Sequence, residues 1–200
     1  MNAILIHGMG RTRASLLLLA RRLRRHGLQP HVFGYRTRGA FETAVTHLTR
    51  TITTTTQGQP FILIGHSLGT VIIRAALPQL TVQPAACFFL APPSTVCKAA
   101  RTFSPNPLFR AATREMGNLL ATEHFMASLP VPTVPVTIYA GTAGPHGRFS
   151  PFGNELNDGL LTLSEVALGT FPVVQVPTLH PFIMHSPFVA ADIARRTANV

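Results

Sequence analysis

The sequence Gly-His-Ser-Leu-Gly at residues 65–69 is the segment whose residue types and spacing point most directly to chemistry. It follows an apolar run at residues 61–64 and precedes apolar residues with helical spacing at 71–76. Glycines two positions before and after a serine let a strand turn sharply into a helix and hold the hydroxyl out at the end of a sheet. The pattern predicts a nucleophile elbow centred on Ser67. The alternative is a tight strand-to-helix turn around an unreactive serine.

A reactive serine needs a base to remove its proton and an acid to orient that base. In the fold built around such an elbow, the acid follows the serine and a histidine follows the acid. The chain has only two aspartates, Asp158 and Asp192. Asp192 comes after every histidine and lies in a predicted helix, where a helix-surface charge explains it. We therefore expect Asp158 to be the acid, with Glu155 in reserve; the other interpretation of Asp158 is a turn residue before Gly159.

Two histidines, His180 and His185, follow Asp158 and are candidates for the base. His180 comes directly after the predicted sixth strand, where a loop can bring it back over Ser67. His185 lies at or near the start of the last predicted helix, where it faces solvent or caps the helix. We expect His180 to be the base and His66, beside the serine, to serve in packing.

The charge that develops on the substrate oxygen during acyl transfer requires backbone N–H donors, which form an oxyanion hole. One expected donor is the amide of Leu68, the residue after the serine. The other is Met9, in the glycine-flanked loop that follows the first predicted strand.

Short apolar runs alternate with helical periodicity along the chain, as in a parallel sheet covered by helices on both faces. The pattern predicts a single α/β domain over residues 1–200 with about six mostly parallel strands. The predicted strands are 2–7, 31–35, 61–64, 85–90, 134–140 and 171–176. The predicted helices are 13–26, 41–54, 70–77, 108–126, 160–168 and 186–197.

Residues 92–130 form a long, proline-rich excursion with scattered apolar side chains. Because it follows a strand, it is expected at the edge of the sheet where ligands bind. We expect it to supply an acyl pocket or a small lid, or else ordinary core beneath a loop.

The formal net charge is +10, and nearly all of the excess comes from arginine. Six arginines cluster near the start of the chain, at positions 11, 13, 21, 22, 24 and 25. Such a cluster favours peripheral contact with an anionic membrane, or it is the solvated face of one helix. Nucleic acid is not expected as a partner, because the charge accompanies no nucleic-acid-binding motif.

No apolar stretch is long enough to span a bilayer, and the first residues lack the pattern of a signal peptide. These features predict a cytoplasmic protein. Cys87 and Cys97 are expected neither to bind metal nor to act in catalysis, and a disulfide between them is left open.

Taken together, the four segments resemble the signatures of the α/β-hydrolase superfamily. They are the strand and loop at residues 4–10, the motif at 65–69, Asn-Asp-Gly at 157–159, and His180. The branch that looks most similar is that of small lipases and esterases without a large cap, including the GPI-inositol-deacylase-like proteins. The resemblance implies an α/β-hydrolase fold with a triad of Ser67, Asp158 and His180, an oxyanion hole at Met9 and Leu68, and no metal or organic cofactor.

Two departures from that family's pattern stand out. Thr70 replaces the second glycine that many of these proteins carry after the motif, although a threonine should fit the start of a helix. The loop at residues 91–94 lacks their usual glycine.

The hypothesis from the sequence is a serine esterase or lipase-like hydrolase acting on small esters or lipids, with short to medium acyl chains favoured. The same triad would serve an acyltransferase, a thioesterase or an amidase. A non-catalytic protein that binds a membrane or a partner is the third hypothesis.

Overall fold

The computed structural model describes residues 1–96, 106–148 and 150–199. Six strands form one entirely parallel sheet with the order β2-β1-β3-β4-β5-β6. The strands are β1 (Asn2–Ile6), β2 (Gln29–Phe33), β3 (Phe61–His66), β4 (Ala86–Leu90), β5 (Val136–Gly141) and β6 (Val173–Val176). The predicted α/β class and six-stranded sheet are confirmed.

The helices are α1 (Leu17–Arg25), α2 (Phe41–Thr56), α3 (Leu68–Ala76), α4 (Pro107–Leu120), α5 (Glu123–Ser128), α6 (Leu163–Val166) and α7 (Pro187–Thr197). Short 3₁₀ turns precede α1 at Arg13–Leu16, follow α3 at Leu77–Gln79 and precede α7 at His180–His185.

The two faces of the sheet carry separate apolar cores. In β1, Ile4 and Ile6 contribute to the core that contains α2 and α3, whereas Ala3 and Leu5 contribute to the core that contains α1 and α7. This division follows from the twofold alternation of side chains along a strand. Because both faces are covered, the strands read as continuous apolar runs in the sequence.

The strand order reverses at β1, which pairs with β2 on one side and with β3 on the other. In open α/β sheets, ligands bind beyond the carboxyl ends of the strands at such a switch point. Ile6, the last residue of β1, is in register with Gly65 of β3. The loop after β1 and the turn after β3 therefore emerge side by side.

Several predicted boundaries were wrong for tertiary reasons. Strand β2 ends at Phe33, level with the end of β1, and Tyr35 leaves the sheet to donate a hydrogen bond to the His7 carbonyl. The predicted helix over 108–126 is interrupted twice. Arg114, inside α4, has a non-helical backbone with φ of 52° and ψ of −135°, and the backbone is extended at Thr122, the residue before α5. The predicted helix over 160–168 is a single turn, Leu163–Val166.

The apolar side chains of α4 and α5 that the structure describes lie mainly in the core: Met116, Leu120 and Met126 are buried there. The proposed role of residues 92–130 as a lid or acyl pocket stays a prediction, and residues 97–105, including Cys97, lie outside the described residues. Cys87 is a buried, free cysteine in β4. In the described part of the chain, no helix has both the length and the apolar composition required to cross a membrane.

Candidate active site

Ser67 is the single residue between β3 and α3, and its backbone is strained. Its φ of 50° and ψ of −123° are rarely adopted by a residue with a side chain. The Ser67 N–H donates to the Leu90 carbonyl of β4 at 2.9 Å. The Ser67 carbonyl accepts hydrogen bonds from the Thr70 N–H at 2.9 Å and from the Thr70 hydroxyl at 2.8 Å. Thr70 therefore fits the helix start, as expected, and its hydroxyl supports the turn.

The glycines on either side of Ser67 are required by close backbone contacts. A Cβ on Gly65 would lie 2.9 Å from the Thr70 nitrogen, and a Cβ on Gly69 would lie 2.4 Å from the Ile6 carbonyl oxygen. Real Cβ atoms do not approach backbone atoms so closely. The motif is thus explained by packing at the strand-to-helix turn.

Asp158 and His180 are hydrogen-bonded and buried. The His180 ring donates from Nδ1 to Asp158 Oδ2 at 2.7 Å, since a carboxylate can only accept. The other oxygen, Oδ1, accepts from the amides of Leu160 and Leu161 at 2.9 and 2.7 Å. The His180 N–H also donates to the Asp158 carbonyl at 2.8 Å. These bonds fix the orientation of the imidazole, with Nδ1 toward Asp158.

His66 links this pair to the turn at Ser67. Its Nε2 donates to the His180 carbonyl oxygen at 3.1 Å, and the two ring centroids lie 5.1 Å apart. Burial lowers the pKa of His66 well below its usual range, and the nearby His180 adds to the lowering. His66 therefore remains neutral and packs as expected, but it also holds the His180 backbone in place.

Within the described residues, Ser67 Oγ and His180 Nε2 form no hydrogen bond. The structure thus joins Asp158 and His180 directly and places Ser67 next to His66, which contacts His180. Hydrogen bonds between nucleophile and base are often long without substrate and tighten when it binds.

The loop after β1 contacts Ser67 through Gly8. A Cβ on Gly8 would lie 3.0 Å from Ser67 Cβ and 2.8 Å from His66 Nδ1. Met9 follows in this loop, and Leu68 is the first residue of α3, so its N–H has no acceptor within the helix. Both predicted oxyanion donors therefore belong to segments adjacent to Ser67.

The loop after β1 is supported from its other side by Tyr35. The rings of His7 and Tyr35 are stacked with centroids 4.4 Å apart, and Tyr35 donates to the His7 carbonyl at 2.8 Å. His7 Nδ1 in turn donates to the Gly8 carbonyl at 3.0 Å. These contacts fix the direction in which the loop leaves the strand.

The other candidate acids have structural contacts. Asp192 was expected to be a surface charge, and this was wrong: it is buried and accepts hydrogen bonds from the Tyr139 hydroxyl and from Arg195 and Arg196. Burial by itself raises the pKa of Asp192, but these hydrogen bonds outweigh it and hold the pKa below its usual value. Glu155 Oε1 accepts from the Ser164 N–H at 3.0 Å and so supports α6.

His185 is the last residue of the 3₁₀ turn before α7. Its carbonyl accepts a hydrogen bond from Arg22, and its ring lies against Phe182. Ser186 caps α7 through its hydroxyl, so of the two roles expected for His185 the capping role was wrong, and the His185 side chain is half-buried.

Arg74, in the last turn of α3, is a buried residue that sequence reasoning missed. Its guanidinium donates to the carbonyls of Leu129, Pro130 and Ser94 at 2.8, 3.0 and 3.5 Å. Burial lowers the pKa of Arg74 to about 10. The available signal was a single cation inside an otherwise apolar helix. Through these hydrogen bonds, Arg74 connects the loop after β4 to the segment that follows α5.

The sequence model of the alpha/beta hydrolase family matches residues 3–198, and the chain belongs to this family. A search of the curated proteins found no match. The resemblance found in the sequence is therefore confirmed at the level of the family, and the narrower lipase and esterase branch stays a prediction.

Solved structures with a similar fold share little sequence with this chain. A metagenomic carboxyl esterase is 16% identical, with a TM-score of 0.77 over 100% of this chain and 76% of its own. The mature lipase BlEst2 of Bacillus licheniformis is 14% identical, with a TM-score of 0.74 over 98% and 91%. RedJ, a thioesterase of Streptomyces coelicolor, is 14% identical, with a TM-score of 0.68 over 97% and 85%.

Proposed function

We propose that this protein is a serine ester hydrolase that acts through an acyl-enzyme on Ser67. The observation that carries the proposal is the buried hydrogen bond between His180 and Asp158, held against the strained turn by His66. Strain of this kind costs about 1–3 kcal/mol and is concentrated at functional sites.

In the first half-reaction, Ser67 Oγ attacks the ester carbonyl while His180 Nε2 takes the hydroxyl proton. The C–O bond to the alcohol then breaks, and His180 returns the proton to the leaving alcohol. Asp158 keeps the ring in the required tautomer and stabilises its positive charge. Water repeats the sequence on the acyl-enzyme, which releases the acid and restores the Ser67 hydroxyl.

The amides of Met9 and Leu68 are proposed to stabilise the oxyanion. Leu68 lies at the N-terminus of α3, whose partial positive charge favours an anion there. Gly8 contacts Ser67, which brings the Met9 loop to the same side of the turn. Each donor of this kind is worth several kcal/mol of barrier in related chemistry.

The names of the similar structures, a carboxyl esterase, a lipase and a thioesterase, all describe cleavage of an acyl group. They support acyl hydrolysis as the reaction class. The triad alone does not separate ester from thioester substrates, nor water from another acyl acceptor. Product analysis with a matched ester and thioester, with and without an added alcohol, separates these reactions.

The proposal is tested with p-nitrophenyl esters from acetate to palmitate. We expect hydrolysis of short and medium chains, reduced roughly 10³-fold or more in Ser67→Ala. The matched control is Ser128→Ala, which removes an exposed hydroxyl on α5 and should leave the rate unchanged. Equal rates for Ser67→Ala and the natural protein would contradict the proposed nucleophile, and activity confined to long chains at an interface would contradict an open site.

A further inference from the structure

A cavity of about 680 Å³ lies beside the candidate active site, at the carboxyl ends of β1 and β2. Its walls come from His7 after β1, the segment that follows β2, the 3₁₀ turn before α1 and the first turns of α2. The cavity is large enough for a small organic molecule or for one end of a substrate.

Two arginines, Arg13 and Arg36, line this cavity. No acidic side chain lines it among the described residues, and within those residues neither guanidinium forms a hydrogen bond or an ion pair. Two glutamates on neighbouring segments have other surroundings. Glu115 accepts the Phe41 N–H at 3.1 Å, and Glu42 lines a neighbouring groove on α2.

The position of Arg13 depends on a glycine. A Cβ on Gly34 would lie 2.1 Å from Arg13 Nε, so the arginine side chain crosses the space that any other residue would fill. Burial lowers the pKa of His7, against its hydrogen bond to the Gly8 carbonyl, and the charge of Arg13 adds to the lowering. His7 is thus neutral, and the arginines supply the positive charge in this cavity.

The cavity and the candidate active site share one loop. His7 lines the cavity, and the next residue, Gly8, contacts Ser67. A substrate whose ester carbonyl lies at Ser67 can therefore extend past this loop toward the arginines.

We propose that the cavity binds an anionic oxo-acid group of the substrate, a carboxylate or a phosphate, and selects esters that carry such a group. Planar guanidinium groups bind both kinds of anion through paired, charge-assisted hydrogen bonds. This assignment rests on the proposed hydrolase function, because it names the substrate class of the same site.

Binding is measured first, without turnover, by calorimetric titration of the Ser67→Ala protein with glutarate and with inorganic phosphate. We expect one of the two anions to bind, and the tighter one identifies the group. Arg13→Gln and Arg36→Gln, which change exposed side chains, should each weaken binding about tenfold, the effect of losing a charged hydrogen bond.

Two further variants separate position from charge. Gly34→Ala keeps the net charge but displaces Arg13, and we expect it to weaken binding as Arg13→Gln does. Arg24→Gln removes a charge from an exposed residue near the end of α1 and should have no effect. The site would be overturned if neither anion bound to the Ser67→Ala protein with its cavity unchanged. It would also be overturned if Arg24→Gln and Arg13→Gln lost the same amount of affinity.

Kinetics then test the substrate class with the mono-p-nitrophenyl ester of glutarate and the neutral p-nitrophenyl pentanoate. We expect a higher kcat/KM for the charged ester, and the ratio of the two kcat/KM values should fall toward one in Arg13→Gln and Gly34→Ala but not in Arg24→Gln. Hydrolysis of pentanoate without any preference would overturn the substrate class and leave the hydrolase proposal standing. Anion binding without hydrolysis of either ester would contradict the hydrolase proposal and leave the site standing.

Discussion

Ser67, Asp158 and His180 each owe their position to a different kind of local interaction. The neighbouring glycines permit the tight turn at Ser67, two backbone amides hold the Asp158 carboxylate, and Asp158 and His66 hold His180. None of these contacts depends on a ligand, so the pair of Asp158 and His180 is organised before substrate arrives. Preorganisation of this kind is what makes polar groups effective in catalysis.

Replacing Asp158 with asparagine tests its proposed role. The amide would favour the wrong tautomer of His180, and we expect kcat to fall roughly 10⁴-fold with little change in KM. The matched control is Glu155→Gln, in the same loop, which should retain most activity because Glu155 contacts α6 instead. A large loss in Glu155→Gln and a small one in Asp158→Asn would assign the acid to Glu155.

The buried His66 predicts a pH dependence of stability. Because its folded-state pKa lies below the unfolded value of 6.5, its contribution is complete above pH 6.5 and is lost as the pH falls toward the folded value. The free energy of unfolding should therefore decrease below pH 6.5, by at most about 1.4 kcal/mol per pH unit from this group. Urea unfolding of the natural protein and of His66→Gln at several pH values measures this decrease. An equal slope in both proteins would contradict the account.

At the scale of elements, the switch point between β1 and β3 positions the candidate site. Strand β3 leads into α3, and α3 begins so close to β1 that a Cβ on Gly69 would overlap the Ile6 and His7 carbonyl oxygens. The close approach of α3 brings the loop after β1 against Ser67. The geometry of the site is therefore a consequence of how one helix packs on one strand.

Gly69→Ala should disrupt this packing. The overlap is with backbone, which cannot move away cheaply, so we expect a loss of about 1–3 kcal/mol in the free energy of unfolding and a fall in activity. Gly58→Ala is the comparison: it lies in an exposed turn with φ of 78° and open space for a Cβ, so it costs stability through φ alone. Denaturant unfolding and ester hydrolysis of both variants measure the two effects. Full activity in Gly69→Ala would contradict the proposed dependence.

Much of this arrangement could be predicted from the sequence, because parallel strands buried on both faces appear as apolar runs and the glycines mark the turn. The expected order of serine, acid and histidine along the chain reduced the candidates for the base to His180 and His185. It also favoured Asp158 over Asp192 as the acid. The contact of His66 with the His180 carbonyl could not be predicted, since it joins residues 114 positions apart. The contacts of Arg74 were missed, and the surface position expected for Asp192 was wrong, because the backbone carbonyls that Arg74 contacts and the Tyr139 hydroxyl that contacts Asp192 lie on other elements.

At the scale of the whole molecule, the net charge of +10 favours association with negatively charged surfaces. Exposed arginines at 21, 24 and 25 lie on α1, and the exposed side chains of Leu17 and Leu18 begin the same helix. Apolar side chains followed by basic residues suit the boundary of an anionic membrane. Peripheral membrane contact through α1 therefore stays a prediction.

Sedimentation with lipid vesicles tests this contact. We expect binding to vesicles that contain phosphatidylserine, weakened by salt, and none to vesicles of phosphatidylcholine alone. Changing Arg21, Arg24 and Arg25 to glutamine should weaken binding strongly, since each basic residue near such a surface is worth about 1 kcal/mol. Equal binding by the triple variant would exclude α1 as the contact.

The most direct test of the account is covalent labelling by a fluorophosphonate, followed by mass spectrometry of the modified peptide. We predict a single phosphonyl group on Ser67 in the folded protein, with no labelling after unfolding or in Ser67→Ala. Labelling that persists in Ser67→Ala, or a folded protein that hydrolyses esters while Ser67 stays unmodified, would contradict the central claim that Ser67 is an activated nucleophile.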